Sequence, residues 1–217
     1  MQRREFSQHI ASGLLASTGL GLGAAAQAQG GPLPGTDYYK LDKPAPVDTP
    51  AGKIELLEFF WYSCPHCNSF EPTFEAWSKR APKDVVIKRM PVAFRPDFEP
   101  QQRLYFALDA MGLVDKLHAK VFYAVHVERN RLATPEAIFD WVAKQGVDKA
   151  KFADQFNAFS VAGKVKRAVQ LQEAYRVEGV PSLGVAGRFY TDGSIAKSMD
   201  RALQVADFLI GEVRKGR

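Results

Sequence analysis

Ile54-Glu55-Leu56-Leu57-Glu58-Phe59-Phe60-Trp61-Tyr62-Ser63-Cys64-Pro65-His66-Cys67 decides the fold of this 217-residue chain. The segment Ile54 to Trp61 is an almost continuous apolar run of strand length, as expected of a central strand covered on both faces. A cysteine pair with proline and histidine between them follows at once, and the residues from there to about Arg80 suit a helix. Val85-Val86-Ile87-Lys88-Arg89-Met90 is a second, β-branched run. Strand, helix and strand over this span make a βαβ unit, which requires a parallel strand pair and a right-handed crossover. Pro72 falls inside the helix and should kink it.

Downstream the period changes. Leu104, Leu108 and Met111, then Leu117, Val121, Phe122 and Val125, recur at helical spacing, with Gly112 between the two groups. Thr134-Pro135-Glu136 reads as a helix start: a capping hydroxyl, proline at the first helical position and an early acid. Ile138, Trp141 and Val142 give that helix its apolar face, and Gly146 is its stop. Phe152, Phe156 and Phe159 continue the pattern, and Val165, Val169 and Tyr175 follow in a longer helix. After Gly179-Val180-Pro181, strand character returns in Leu183 to Val185, a turn lies at Ala186-Gly187, and Arg188-Phe189-Tyr190 pairs back as a hairpin. A last amphipathic helix runs from about Asp200 to Arg214, and a short strand is expected at Tyr38 to Leu41. Strands at both ends with helices between them mean an α/β domain in two parts, residues 29–96 and 164–217, with an all-helical insertion at 97–163.

With 46% hydrophobic and 24% charged residues the chain can bury a core, which excludes a mainly disordered protein. A net charge of +5 without a basic block argues against a nucleic-acid partner. The chain opens Met1-Gln2-Arg3-Arg4-Glu5-Phe6, carries no charge from Ile10 to Ala28, and offers Ala26-Gln27-Ala28 as a small-residue cleavage site. Residues 1–28 therefore read as an export signal, with a twin-arginine look in Arg3-Arg4-x-Phe6. No later stretch approaches the 18 or so apolar residues of a membrane span. In a Gram-negative cell the destination is the periplasm, an oxidising compartment.

There the cysteine pair has a use. Pro65 suits the first helical turn, where its missing N–H is not needed. Cysteines three apart lie on one helix face, close enough to bridge. Cys64, at the helix start, faces unpaired backbone N–H groups and the positive end of the macrodipole, both of which favour a thiolate. His66 can add a hydrogen bond or positive charge, and Cys67, one turn in, should be shielded. Cys64 is then the attacked sulfur, and Cys67 resolves the mixed disulfide. A zinc site would need two more ligands, and His118 and His126, eight apart, fit no compact spacing. No metal or cofactor is expected, and both histidines read as ordinary helix residues. Glu58 shares strand parity with Ile54, Leu56 and Phe60, so it should be buried beneath the motif, which is costly for an acid unless it is protonated or hydrogen-bonded. Glu55, of opposite parity, reads as structural.

On Glu58-Phe59-Phe60-Trp61-Tyr62-Ser63-Cys64-Pro65-His66-Cys67, Gly179-Val180-Pro181-Ser182 and Gly187-Arg188-Phe189-Tyr190, the chain resembles the DsbA family of thiol oxidases over nearly its whole length after the export signal. The resemblance implies a thioredoxin-like fold with an inserted all-helical domain. It also implies a protein disulfide oxidoreductase that donates its disulfide to newly exported, unfolded proteins and is reoxidised by a quinone-linked membrane partner, DsbB. It gives Glu58 a part in moving protons and makes the Val180–Pro181 bond cis, pressed against the cysteines, with Val180 backbone groups open to an extended substrate. The chain should act as a monomer. Gly184 stands where the family more often has a larger side chain, which would loosen or reshape the substrate-side edge. The same cysteine chemistry leaves open a disulfide isomerase or reductase, and a different class altogether, a redox-switched binding protein without turnover.

Overall fold

The computed structural model describes residues 31–216; the export signal expected at residues 1–28 lies outside them. A five-stranded sheet runs in the order β1-β5-β4-β2-β3, built from β1 (Tyr39–Lys40), β2 (Ile54–Phe60), β3 (Val85–Pro91), β4 (Ser182–Val185) and β5 (Phe189–Asp192). β2 and β3 are parallel, joined through helix α1 (Pro65–Ser78), and the other pairs are antiparallel. The architecture is the expected thioredoxin-like α/β fold with helices inserted between its two halves.

Every residue of β2 is buried, because both faces of the strand are covered. Ile54 and Leu56 pack with Phe70, Phe74 and Trp77 of α1 and with Leu203 and Leu209 of the last helix, α7 (Met199–Arg214). Leu57 and Phe59, on the other face, pack with Leu171 and Tyr175. Leu56, Leu57, Phe59 and Phe60 are at 0% exposure, each contributing roughly 1.5–3 kcal/mol of transfer free energy. The Gly184 position is not loosened. A Cβ there would overlap the Tyr175 ring, and the Tyr175 hydroxyl accepts a hydrogen bond from the Gly187 amide at 2.8 Å. The missing side chain is replaced by a ring arriving from another element.

Five helices separate β3 from β4: α2 (Glu99–Ala110), α3 (Val114–His126), α4 (Pro135–Lys144), α5 (Lys149–Asn157) and α6 (Phe159–Ala174). Thr134 caps α4 as read from the sequence, its Oγ1 accepting from the Ala137 amide at 3.3 Å. Phe159 departs from the expected apolar pattern. Ala158 is extended between α5 and α6, so the register of the buried face is lost there and Phe159 points to solvent at 92% exposure. The apolar core of these helices, with Leu104, Leu117, Phe122 and Trp141, is continuous with Phe60, Tyr62, Cys64 and Cys67. The cysteine pair thus sits where the sheet's end meets the helical layer.

Candidate active site

Cys64 is the N-cap of α1, with extended backbone (φ −81°, ψ 119°), and Pro65 begins the helix. No side-chain oxygen caps this end; the cap position holds a sulfur. Both cysteines are unbridged thiols. The Cys64 thiol is held down at about 6: Cys67 donates its S–H to the sulfur, burial opposes this, and the amides of Cys67 and His66 then add donors, followed by the His66 charge. The thiolate therefore serves as the anionic cap that the helix end lacks. His66 is exposed and its imidazole ranks behind the Cys67 thiol and the two amides, a smaller part than the sequence suggests. Cys67, 1% exposed, is pushed far up, first by burial and then by Cys64. One sulfur is an easy anion and its neighbour a very poor one.

Pro181 follows a cis peptide bond from Val180. In the thiol state Cys64 Sγ donates to the Val180 carbonyl at 3.4 Å, so the two segments that carry the sequence motifs meet here. Beside them Trp61 stacks on Phe98 (3.9 Å between centroids, 8° between planes), and Phe94, 40% exposed, meets Phe98 edge-on. In this aromatic cluster Phe98 is buried, Trp61 half-buried and Phe94 exposed.

Beneath the pair lies a chamber of charge. Glu58, 1% exposed, has one cationic neighbour, Arg89, its register partner on β3, whose Nε lies 3.1 Å from Oε2. Arg89 also serves Glu71 (2.8 Å) and Glu75 (3.0 Å) from α1 through Nη2. Burial pushes the Glu58 carboxyl up to about 8, against the pull of Arg89 and with a further push from the Glu71 charge. Glu58 also bears on Cys67, whose ionisation its charge disfavours.

His118 and His126 are not ordinary helix residues. His118 is buried, its Nδ1 2.8 Å from the Tyr62 hydroxyl and its Nε2 3.3 Å from Glu71 Oε2. His126 Nε2 lies 2.8 Å from the Tyr62 carbonyl, and Gln101 Nε2 donates to Ser63 Oγ at 2.8 Å. The helical layer thus grips the two residues that precede Cys64. Arg89, Glu71, Gln101 and the histidines escape a reading of motifs. The available signals were, for Arg89, one of two adjacent charges in a strand otherwise apolar and, for His118, a place on the same helix face as Leu117, Val121 and Phe122.

The DSBA-like thioredoxin domain model matches residues 55–204. The chain belongs to that family. It is 46% identical over 216 residues to a thiol:disulfide interchange protein DsbA of Bordetella parapertussis, covering 99% of this chain and 100% of that protein. It is 44% identical over 205 residues to the Burkholderia cepacia protein of the same name, covering 94% of this chain and 97% of that one. The crystal structure of Pseudomonas aeruginosa DsbA superposes with a TM-score of 0.80 at 41% identity, covering 84% of this chain and 94% of that one. With Cys64 and Cys67 forming the Cys-x-x-Cys pair, the protein is a thiol:disulfide oxidoreductase that acts on other proteins. Among the described residues no helix is long and apolar enough to cross a membrane.

Proposed function

We propose that this protein donates its Cys64–Cys67 disulfide to newly exported, unfolded chains in the periplasm, and that a DsbB-like, quinone-linked membrane partner restores it. The observation that carries the reading is the inequality of the two sulfurs. Holding Cys64 at about 6 rather than at an ordinary thiol value favours the reduced protein at pH 7 by about 1.4 kcal/mol, or roughly 30 mV of oxidising power. The export signal at residues 1–28 and the single redox pair support the periplasmic setting.

In the oxidised protein a client thiolate attacks Cys64 Sγ. The bond to Cys67 breaks, a client–Cys64 disulfide forms, and Cys67 leaves as an anion that its surroundings disfavour. Glu58, protonated at neutral pH, gives it a proton and is refilled from solvent. The client's second thiol, its proton lost to solvent, attacks the client sulfur of the mixed disulfide and expels Cys64 as the stabilised thiolate. Two electrons pass from client to protein, and, counted from the client dithiol, one proton is released overall. Pro65 starts the helix whose amides hold that thiolate, and His66 adds its charge. Val180, next to cis Pro181, offers main-chain groups for an extended client to pair on. Residues 97–163 form the inserted domain and the protein works as a single chain.

Reduced ribonuclease with catalytic amounts of the oxidised protein and an electron acceptor tests the reading. Many turnovers are expected, with a reduction potential above the glutaredoxin range of about −200 to −230 mV. One stoichiometric transfer, or a thioredoxin-like potential near −270 mV, contradicts it.

A further inference from the structure

Arg89 faces three carboxylates, Glu58, Glu71 and Glu75, in the chamber under the cysteine pair. Glu75 is partly in water, with 44% of its side chain exposed, and also meets Lys79 at 3.3 Å. Glu58 and Glu71 are both buried and compete for Arg89. The proton belongs to whichever has fewer donors. Among the described residues Glu58 has only Arg89 Nε. Glu71 has Arg89 Nη2 at Oε1, and His118 faces its other oxygen.

We propose that His118 is a positioning residue for the proton that Glu58 carries: donating from Nε2, it holds the Glu71 carboxylate against Arg89 and so keeps the movable proton of the cluster on Glu58. The inference rests on the reading of Glu58 as proton carrier given above.

The geometry fixes the direction of the His118 contact. The imidazole lies among the rings of Phe60, Tyr62, Tyr105 and Phe122, at centroid distances of 5.2–5.8 Å. Such burial lowers its basicity, against the Glu71 charge, so it carries one N–H. With that hydrogen on Nδ1, the Nε2 lone pair would face a carboxylate oxygen at 3.3 Å, and neither atom has another hydrogen-bond partner. With it on Nε2, Nδ1 accepts from the Tyr62 hydroxyl at 2.8 Å and the N–H lies on the side of Glu71 Oε2, 3.3 Å away, a polar contact not aligned as a full hydrogen bond. The second arrangement sets a donor against an acceptor, whereas the first sets two acceptors against each other. The polar groups that face this chamber are Glu58 from β2, Tyr62 beyond its end, Cys67, Glu71 and Glu75 from α1, Arg89 from β3 and Tyr105 from α2, with Asp109 acting on Tyr105 from farther along α2. His118 alone brings the inserted helix α3 into this set. Without it Glu58 and Glu71 each keep a single donor, the proton spreads over both, and the neighbouring negative charge that holds the Glu58 proton weakens.

Carboxyl carbon NMR titration with labelled glutamate, the buried resonances assigned through Glu58→Gln and Glu71→Gln, reads this directly. The Glu58 midpoint near 8 is expected to fall by about one unit in His118→Phe and to stay within a few tenths in His118→Gln, whose amide can still donate to Glu71. An unmoved midpoint in His118→Phe, or an equal fall in both variants, overturns the proposal. Imidazole nitrogen NMR on the unaltered reduced protein gives a second decision independent of any variant's folding: the Nε2–H tautomer supports the proposal, and the Nδ1–H tautomer overturns it. A Glu58→Gln protein that oxidises clients with an unchanged pH profile would remove Glu58 from the reaction while leaving both spectroscopic outcomes to judge His118.

Discussion

Glu55 and Glu58 sit three residues apart on one strand, both almost fully buried, and the molecule treats them in opposite ways. Glu55 faces a private set of donors: Lys88 Nζ at 2.7 Å, Thr49 Oγ1 at 2.7 Å and the Asp48 amide at 3.3 Å, all on one oxygen. Glu58 has a fraction of one arginine, shared with two other carboxylates. Burial alone therefore does not make an acid functional. The allocation of donors does, and it leaves Glu58 holding a proton near neutrality, within electrostatic reach of the sulfur that must be protonated when the disulfide opens. The sulfur pair follows the same rule, since Cys64 collects several donors and Cys67 is left with almost none.

The largest expected effect comes from removing the shared acid. Because the Glu58 carboxyl is raised on folding, its contribution to stability is fully present below its ordinary value of 4.5 and is lost as pH rises to about 8. The stability of the wild type relative to Glu58→Gln should therefore fall by a few kcal/mol between those values and be flat outside them, by urea titration across pH. A constant difference would contradict the raised Glu58 carboxyl. The same variant should oxidise clients about tenfold more slowly at neutral pH in stopped-flow fluorescence. Lys88→Met breaks the private set instead, leaving Glu55 buried without its cation. The Lys88 side chain is 27% exposed, so water enters in part where it is removed, and a loss of about 2 kcal/mol of stability by urea titration is expected with client oxidation unchanged. The smallest effect belongs to His66→Ala, which keeps the backbone amide and removes only the last of the contributions to Cys64. Its thiolate midpoint should rise by less than about one unit, and a rise of two or more would put the imidazole ahead of the Cys67 thiol.

How much of this could be seen in the chain itself divides along the same line. The strand of Ile54 to Phe60, the helix start at Cys64-Pro65 and the cap at Thr134 are legible because period and capping chemistry are local. Glu58's burial follows from parity. Its partner does not, because Arg89 arrives from 31 residues away through a register that no local pattern encodes. Gly184 misleads for the same reason, since the Tyr175 ring that fills its place comes from the end of another helix. His118 lies on the apolar face of α3 along with Leu117, Val121 and Phe122, and a histidine in that stripe is a hint only once something polar stands opposite it. Spacing between elements, not composition within them, hides this half of the site.

Ultraviolet thiolate absorbance of the reduced protein against pH tests the central claim most directly. One thiolate should appear with a midpoint near 6, carried by Cys64 and absent in Cys64→Ser, with none from Cys67 through the alkaline range. A midpoint at the ordinary thiol value near 9, or two thiolates forming together, would contradict the unequal pair on which the donor chemistry depends.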